Sequence, residues 1–139
     1  MHFLKCVTNF EDRESGPPQV EIVANSGAVM VMWPGERWVV DLSGQITTRA
    51  GGQVVPILYA HDWDEQLGHT QSFVVDGSKI VMRGIADGAT KRAKQWEESS
   101  TTGFPWNASL GFVVLDSLDI PVGETIAVNG REEAGPLKV

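Results

Sequence analysis

Two residues far apart in the chain have side chains that can form a catalytic pair. Ser109 lies in the stretch PWNASLGF, and His61 follows an apolar run. A serine hydroxyl is a weak nucleophile at neutral pH, so it needs a base within hydrogen-bond distance and donors for the developing oxyanion. His61 and His69 are the plausible bases, because the remaining histidine lies at the terminus.

Each member of this pair also has a non-catalytic interpretation. A buried hydroxyl without a partner costs roughly 1–3 kcal/mol, so Ser109 among its apolar neighbours either bonds a nearby group or reacts. His61 can simply cap a strand and hydrogen-bond a carbonyl. The neighbouring Asp62, Asp64 and Glu65 favour catalysis somewhat, because a carboxylate can orient an imidazole and stabilise its charged form.

Metal and nucleotide chemistry have little support. His61, Asp62, Asp64 and His69 are metal-binding residue types, but their spacing matches neither H-E-x-x-H nor an EF-hand loop. The motifs G-x-x-x-x-G-K-[ST] and G-x-G-x-x-G are absent from the chain. We therefore expect no metal and no cofactor.

The elements that must position these residues are mostly strands. Alternating and short apolar runs predict strands at 19–24, 28–33, 37–42, 54–60, 70–75, 79–86, 106–115 and 125–130. Pro56 cannot donate to a ladder, so we expect an edge or a bulge there. His61 then ends one strand and Ser109 lies within another, so we expect them on adjacent strands facing one cleft.

One segment, residues 87–100, has helical character instead. Ala89, Ala93 and Trp96 form a single apolar stripe, and Asp87 can cap the start. We expect one short helix packed on a barrel or sandwich. Its basic residues are expected on the solvated face: Lys91, Arg92 and Lys94.

The composition restricts the class of protein. At 139 residues the chain is one domain with room for a core, and its formal net charge of −7 argues against nucleic-acid binding. The single cysteine, Cys6, fits a reducing compartment. No run approaches the roughly 18 apolar residues of a membrane span, and the N-terminus lacks signal-peptide features. We expect a cytoplasmic protein that does not bind membranes.

Tryptophans are frequent near the candidate pair. Trp63 closely follows the histidine, and Trp106 lies three residues before the serine. They either wall a peptide-binding cleft or pack in the core. Trp33 and Trp38 flank a predicted hairpin, so they can form a cross-strand pair.

The order of these motifs resembles the prohead (capsid-maturation) serine proteases of tailed bacteriophages. ILYAHDW, LGHT, a polar helical stretch and PWNASLGF follow one another, and the resemblance covers about residues 36–135. In that family a strand-end histidine followed by aspartate is the base. A serine followed by a small apolar residue, glycine and an aromatic residue is the nucleophile. The matching residues here are His61 and Ser109.

The resemblance implies a fold and an activity. The implied fold is a mostly β single domain, a closed or partly open β-barrel of the assemblin type with one short flanking helix. The implied activity is a serine endopeptidase that cleaves scaffold and major capsid protein, and often itself. It would act in the cytoplasm of the bacterial host, inside the assembling prohead.

The third catalytic group is left open by the resemblance. The family usually continues beyond the serine strand with an Arg-rich or Glu-containing strand, and this chain ends at Val139 before it. His69 is a candidate because a second histidine has this role in the herpesvirus relatives, although theirs follows the serine. Asp62 and Glu124 are further candidates, and a serine–histidine dyad helped by water is the alternative.

The C-terminal residues predict that the end of the chain is trimmed or processed. A new extended segment begins at Pro136 just before the chain stops, so we expect a domain over 1–139 that is trimmed or processed at its end. An unpaired edge left there would be covered by a second copy, giving a homo-oligomer.

The alternatives to a protease are a non-catalytic phage virion or capsid-associated protein-binding β-barrel and a small ligand-binding barrel.

Overall fold

The protein is mostly β with one helix in the part of the chain that the structure describes. The computed structural model describes residues 8–11, 15–32, 34–44, 46–48, 51–52 and 54–139. The elements in chain order are β1 (Thr8–Glu11), β2 (Gln19–Asn25), β3 (Met30–Met32), β4 (Glu36–Trp38), β5 (Pro56–Leu58), β6 (Gln66–Val75), β7 (Ile80–Ile85), α1 (Lys91–Thr101), β8 (Asp119–Ile120), β9 (Thr125–Val128), β10 (Arg131–Ala134) and β11 (Leu137–Lys138).

The strands form three open sheets. The largest is antiparallel with the order β1-β2-β7-β6-β5, the second has the order β3-β4-β11-β8, and β9 and β10 form a two-stranded ribbon. The closed form of the predicted barrel is therefore not found among the described residues. The edge expected at Pro56 is confirmed, since β5 is an outer strand with a register shift between Ile57 and Leu58.

The main core lies where the large sheet packs against α1. In β2 the side chains of Val20, Ile22 and Ala24 alternate into this core, as the sequence predicts. From the helix, Ala93 and Trp96 are buried in the same cluster. Full burial of a large aliphatic side chain contributes about 1.5–3 kcal/mol, so this cluster fixes α1 against the sheet.

A second, smaller core lies beneath the four-stranded sheet. Its buried residues are Val39, Ile120, Val128 and Leu137. The extended segment expected to begin at Pro136 forms β11, which pairs with β4 on one side and β8 on the other.

The predicted hairpins are present, one closed by a backbone hydrogen bond and the other by a polar side chain. β3 and β4 pair with Met32 opposite Glu36. Between β6 and β7, the Asp76 carboxylate accepts hydrogen bonds from the N–H groups of Ser78 and Lys79. These bonds, first that from Ser78, hold the pKa of Asp76 below its ordinary value of 3.8.

Helix α1 begins later than the sequence predicts. Its N-cap is Thr90, whose hydroxyl oxygen accepts the N–H of Ala93 at 3.0 Å. The predicted cap, Asp87, is wrong because its carboxylate pairs instead with His69 on β6. Ala89 lies outside the helix and is exposed.

The segment 106–115 is the largest departure from the predicted elements. It is not hydrogen-bonded into any sheet of the described residues, and the apolar residues expected to be buried at its end are exposed. A strand needs a neighbour for its main-chain groups, and the chain that the structure describes supplies none here. Ser109 therefore lies on an irregular segment and not within a paired strand.

Candidate active site

His61 lies in a tight turn directly after β5. The N–H of Asp62 donates to the carbonyl of Tyr59 at 2.9 Å, and the two residues between them, Ala60 and His61, have φ angles of 51° and 61°. Positive φ at both central positions is the arrangement of a type I′ turn, which favours Asn and Gly. A left-handed backbone costs roughly 1–2 kcal/mol for each residue with a Cβ, so His61 is held in a strained position.

A second turn follows at once and completes the loop. Glu65 N–H donates to the Asp62 carbonyl at 3.1 Å, and Tyr59 N–H donates to the Glu65 carbonyl at 3.0 Å. The Asp62 carboxylate accepts the N–H of Asp64 at 2.9 Å. Four hydrogen bonds within seven residues thus hold the strained turn in place between β5 and β6.

Ser109 is positioned by the apolar residues around it. Trp106, Ala108 and Leu110 are half-buried and pack against the main core. The indole N–H of Trp106 donates to the Ser99 hydroxyl on α1 at 3.1 Å. With its neighbours turned inward, the Ser109 side chain lies at the exposed surface.

These two positions bring the candidate pair together. The Ser109 Oγ lies 3.3 Å from Nε2 of His61, between residues separated by 48 positions in the chain. The sequence-based expectation of adjacent strands is wrong, because both residues lie on connecting segments. The expected hydrogen-bond distance is nevertheless present.

Gly111 lies beside the imidazole ring. A Cβ placed on Gly111 would be 3.9 Å from both Cε1 and Nδ1 of His61, which is ordinary van der Waals contact. Ser109 and Gly111 therefore border the same ring. Within the SLG sequence, Ser109 contacts His61 and Gly111 leaves space for its imidazole ring.

The candidates for a third catalytic group lie elsewhere. Nδ1 of His69 is 3.1 Å from the Asp87 carboxylate, so His69 is paired with Asp87 and not with His61. Asp62 accepts the backbone of Asp64, and Glu124 belongs to the turn between β8 and β9. Among the described residues no side chain hydrogen-bonds Nδ1 of His61, so the structure places none of the three candidates as its partner.

Helix α1 contacts both segments that carry the pair. Near its start, the Arg92 guanidinium lies over the ring of Tyr59, with Cζ 4.3 Å from the ring centroid. Near its end, Ser99 accepts the Trp106 hydrogen bond, and its carbonyl accepts the N–H of Phe104. Lys91 and Lys94 lie on the solvated face as expected, and Arg92 is half-exposed and also contacts Tyr59. Neither contact had a signal in the sequence beyond the residue types.

The tryptophans near the pair have different environments. Trp63 is 71% exposed and does not belong to the core, whereas Trp106 is half-buried against it. Trp63 therefore remains a candidate for the wall of a peptide-binding cleft, whereas Trp106 packs against the core. The predicted pair of Trp33 with Trp38 falls on a residue outside the described part of the chain.

The two sequence stretches that carry the pair are acidic, and a cation from α1, Arg92, contacts the first of them at Tyr59. Residues 54–66 contain Asp62, Asp64 and Glu65, residues 103–118 contain Asp116, and neither stretch contains Lys or Arg. Within the described ranges no group of three or more His, Cys, Asp or Glu side chains is arranged to hold a metal ion. The chemistry that the site can perform itself is proton transfer between the serine and the histidine.

Comparison with known proteins identified no relative of this chain. No family model, no curated protein and no solved structure matches the chain. None of the helices in the described residues has both the length and the apolar character needed to cross a membrane.

Proposed function

We propose that the protein is a serine hydrolase in which Ser109 is the nucleophile and His61 the general base. The observation that carries this proposal is the 3.3 Å contact between Ser109 Oγ and His61 Nε2. The strained turn at His61 supports it, because strained backbone is concentrated at functional sites.

The first half of the reaction is acyl transfer to the serine. With the imidazole neutral, the Ser109 hydroxyl donates to Nε2. As Oγ bonds to the substrate carbonyl carbon, its proton moves to His61. The protonated ring then gives this proton to the leaving amine as the carbon–nitrogen bond breaks. In the second half, water attacks the acyl carbon and loses a proton to His61, and as the acyl–Oγ bond breaks the ring returns this proton to Oγ and the acid leaves.

The oxyanion formed in each half needs hydrogen-bond donors. Among the described residues, the N–H groups of Ser109, Leu110 and Gly111 make no hydrogen bond, so they are available to a bound substrate. Removing one such donor in other serine hydrolases slows the chemical step about 10²–10³-fold. The unbonded N–H groups support the proposal that the SLG stretch supplies both the nucleophile and the oxyanion donors.

The more specific proposal is an endopeptidase of the prohead-maturation type. It rests on the resemblance of ILYAHDW and PWNASLGF to that family, and on the order of these motifs along the chain. Under this proposal the substrates are phage scaffold and major capsid protein, and the enzyme acts as a homo-oligomer inside the assembling shell. The open sheets leave the assemblin-like barrel itself a proposal.

A fluorophosphonate probe tests the activated serine directly. The wild-type protein should be labelled, and Ser109→Ala should abolish labelling while the circular dichroism spectrum stays the same. Ser117→Ala is a matched control, because Ser117 is an exposed serine of the same segment with no part in the pair. His61→Gln should remove most of the labelling. Acidification should slow it, since a protonated ring cannot accept the hydroxyl proton.

The proposal fails if labelling persists in Ser109→Ala, or if it is equally lost in Ser117→Ala. His69→Gln separates a triad from a dyad. A loss as large as that of His61→Gln assigns the third role to His69. A small effect leaves the dyad.

A non-catalytic protein-binding function is the second candidate. It is favoured by the lack of a described partner for His61 Nδ1 and by the exposed apolar residues that follow Ser109. A folded wild-type protein that neither reacts with the probe nor cleaves co-expressed scaffold or capsid protein would support this candidate over the hydrolase.

A further inference from the structure

We propose that the segment from Leu110 to Leu115 binds the substrate as an added β-strand, and that this substrate is an apolar peptide stretch flanked by basic residues. The inference rests on the proposed hydrolase function and extends it to the class of substrate. It is carried by three properties of the segment: alternating side chains, unpaired main chain and negative surroundings.

The side chains of this segment alternate as in a strand. Phe112 and Val114 are 41% and 46% exposed, whereas Val113 and Leu115 are 84% and 83% exposed. The alternation continues back through half-buried Leu110 to exposed Ser109. Alternate side chains of a strand point to opposite faces. One face of the segment is therefore less exposed and packs on the core through Leu110, and the more exposed face carries Ser109 together with Val113 and Leu115.

The main chain of this segment has no hydrogen-bond partner in the described part of the chain. Residues 107–117 make no backbone–backbone hydrogen bonds to the described part of the chain, and the N–H of Ser117 is bound by the Asp116 side chain. Unpaired strand edges accept an extended peptide by β-augmentation, in which main-chain bonds provide affinity and alternate side chains provide specificity. Val, Phe and Leu here favour that conformation.

The position of the nucleophile identifies the occupant as a substrate. A peptide paired alongside residues 110–115 continues directly to Ser109 and so lies next to the Ser109–His61 pair. Burying the exposed Val113 and Leu115 requires apolar side chains on the peptide. Because residues 110–115 are continuous with the Ser109–His61 pair, we infer that the peptide bound there is the substrate to be cleaved.

The charges near the segment favour basic residues on either side of the apolar stretch of that peptide. Asp62 and Asp64 are exposed next to His61 in the chain, Asp116 is exposed directly after the segment, and the two stretches contain no Lys or Arg, while the nearby Arg92 guanidinium is stacked on Tyr59. Complementary charges at the rim of an interface increase the association rate and repel like-charged partners. Lysine or arginine on either side of the apolar stretch fits this pattern.

Three synthetic fluorescent peptides of equal length test the proposal. One has an alternating apolar stretch with lysine flanks, the second has glutamate flanks, and the third has lysine flanks with alternate backbone amides N-methylated. Binding is measured by anisotropy on Ser109→Ala, which keeps the segment but cannot cleave. We expect the lysine-flanked peptide to bind about tenfold more tightly than the glutamate-flanked one at low salt, and the difference to shrink with salt. N-methylation should abolish binding.

Matched substitutions locate the binding surface. Val113→Asn and Leu115→Asn should each weaken binding about tenfold or more, because each removes apolar burial. Val122→Asn is the control, since Val122 is 78% exposed but lies outside the segment. Equal effects at Val122 and Val113, or normal binding of the N-methylated peptide, would overturn the proposal.

The outcomes separate this inference from the function on which it rests. Fluorophosphonate labelling with no peptide binding leaves the hydrolase and overturns the substrate strand. Peptide binding without labelling supports the docking strand and contradicts the hydrolase. A molecular mass that falls from dimer to monomer in Val113→Asn, with no peptide binding, assigns the segment to a second copy of the chain and overturns the proposal.

Discussion

The guanidinium of Arg92 lies over the ring of Tyr59, with Cζ 4.3 Å from the ring centroid. Tyr59 is the first residue of the turn that holds His61 in its left-handed conformation. The contact therefore links α1 to the backbone that positions the proposed base. Because α1 also binds the Ser109 segment through Ser99 and Trp106, the helix sets the distance between the two members of the pair.

Arg92→Ala should slow labelling of Ser109 about two- to fivefold, the equivalent of an exposed cation–π contact. Arg92→Lys should restore part of the rate, since an ammonium group can still lie over the ring. The measurement is the second-order rate constant of fluorophosphonate labelling. Lys94→Ala is the control, because Lys94 is an exposed cation of the same helix. An equal loss in Lys94→Ala would contradict a positioning role for Arg92.

Ser99→Ala should reduce both stability and labelling. It leaves the half-buried indole N–H of Trp106 without its acceptor, which lowers the free energy of unfolding by about 1 kcal/mol and loosens the Ser109 segment. Ser100→Ala is matched to it, because Ser99 and Ser100 both donate to the Trp96 carbonyl. We expect a lower unfolding midpoint in urea for Ser99→Ala than for Ser100→Ala, because only Ser99 also accepts the Trp106 indole N–H, and slower labelling only in Ser99→Ala. Equal labelling would show that the Trp106 bond does not position Ser109.

Substitutions at Gly111 should report on the space beside the imidazole. Gly111→Ala places its methyl group 3.9 Å from the His61 ring, so labelling should change less than about twofold. Gly111→Val adds two methyl groups that must displace the ring, and labelling should fall about tenfold or more. Thermal unfolding checks that both variants fold. Equal rates for both variants would mean that the ring has room to move without loss.

Asp76 should make stability depend on acid pH. Its folded-state pKa is lowered, chiefly by the N–H of Ser78, so the stabilisation is present above 3.8 and is lost as the pH falls through the lower folded value. Asp76→Ala should therefore unfold at lower urea than the wild type at pH 7, and the difference should diminish below pH 3.8. A constant difference from pH 7 to pH 2 would contradict the assignment.

Part of the strand pattern and the helix could be predicted because they depend on local sequence. Alternation identified β2, apolar runs on either side of a turn identified β7 and residues 70–75 of β6, and the apolar stripe of Ala93 and Trp96 identified α1. The N-cap could not be located from the sequence alone. Asp87 and Thr90 are both good caps, and the choice depended on His69, which lies on another element.

The geometry of the site depends on contacts that no local pattern contains. Ala60 and His61 are not typical residues for positive φ, so their turn had no signal, and it is maintained by hydrogen bonds from Asp62 and Glu65. The 106–115 segment has the composition and alternation of a strand. Whether it finds a partner is a property of the whole fold, and in the described residues it does not.

The unpaired segment also affects how the protein behaves in bulk solution. FVVL at 112–115 combines high β propensity, exposed apolar side chains and no charge, which is the composition of segments that stack into cross-β fibrils. At neutral pH the net charge of −7 keeps molecules apart, but this repulsion vanishes near the isoelectric point of about 4.8. The surface that we assign to substrate is therefore also the site at which the protein should begin to aggregate in mild acid, and a bound peptide should delay this aggregation.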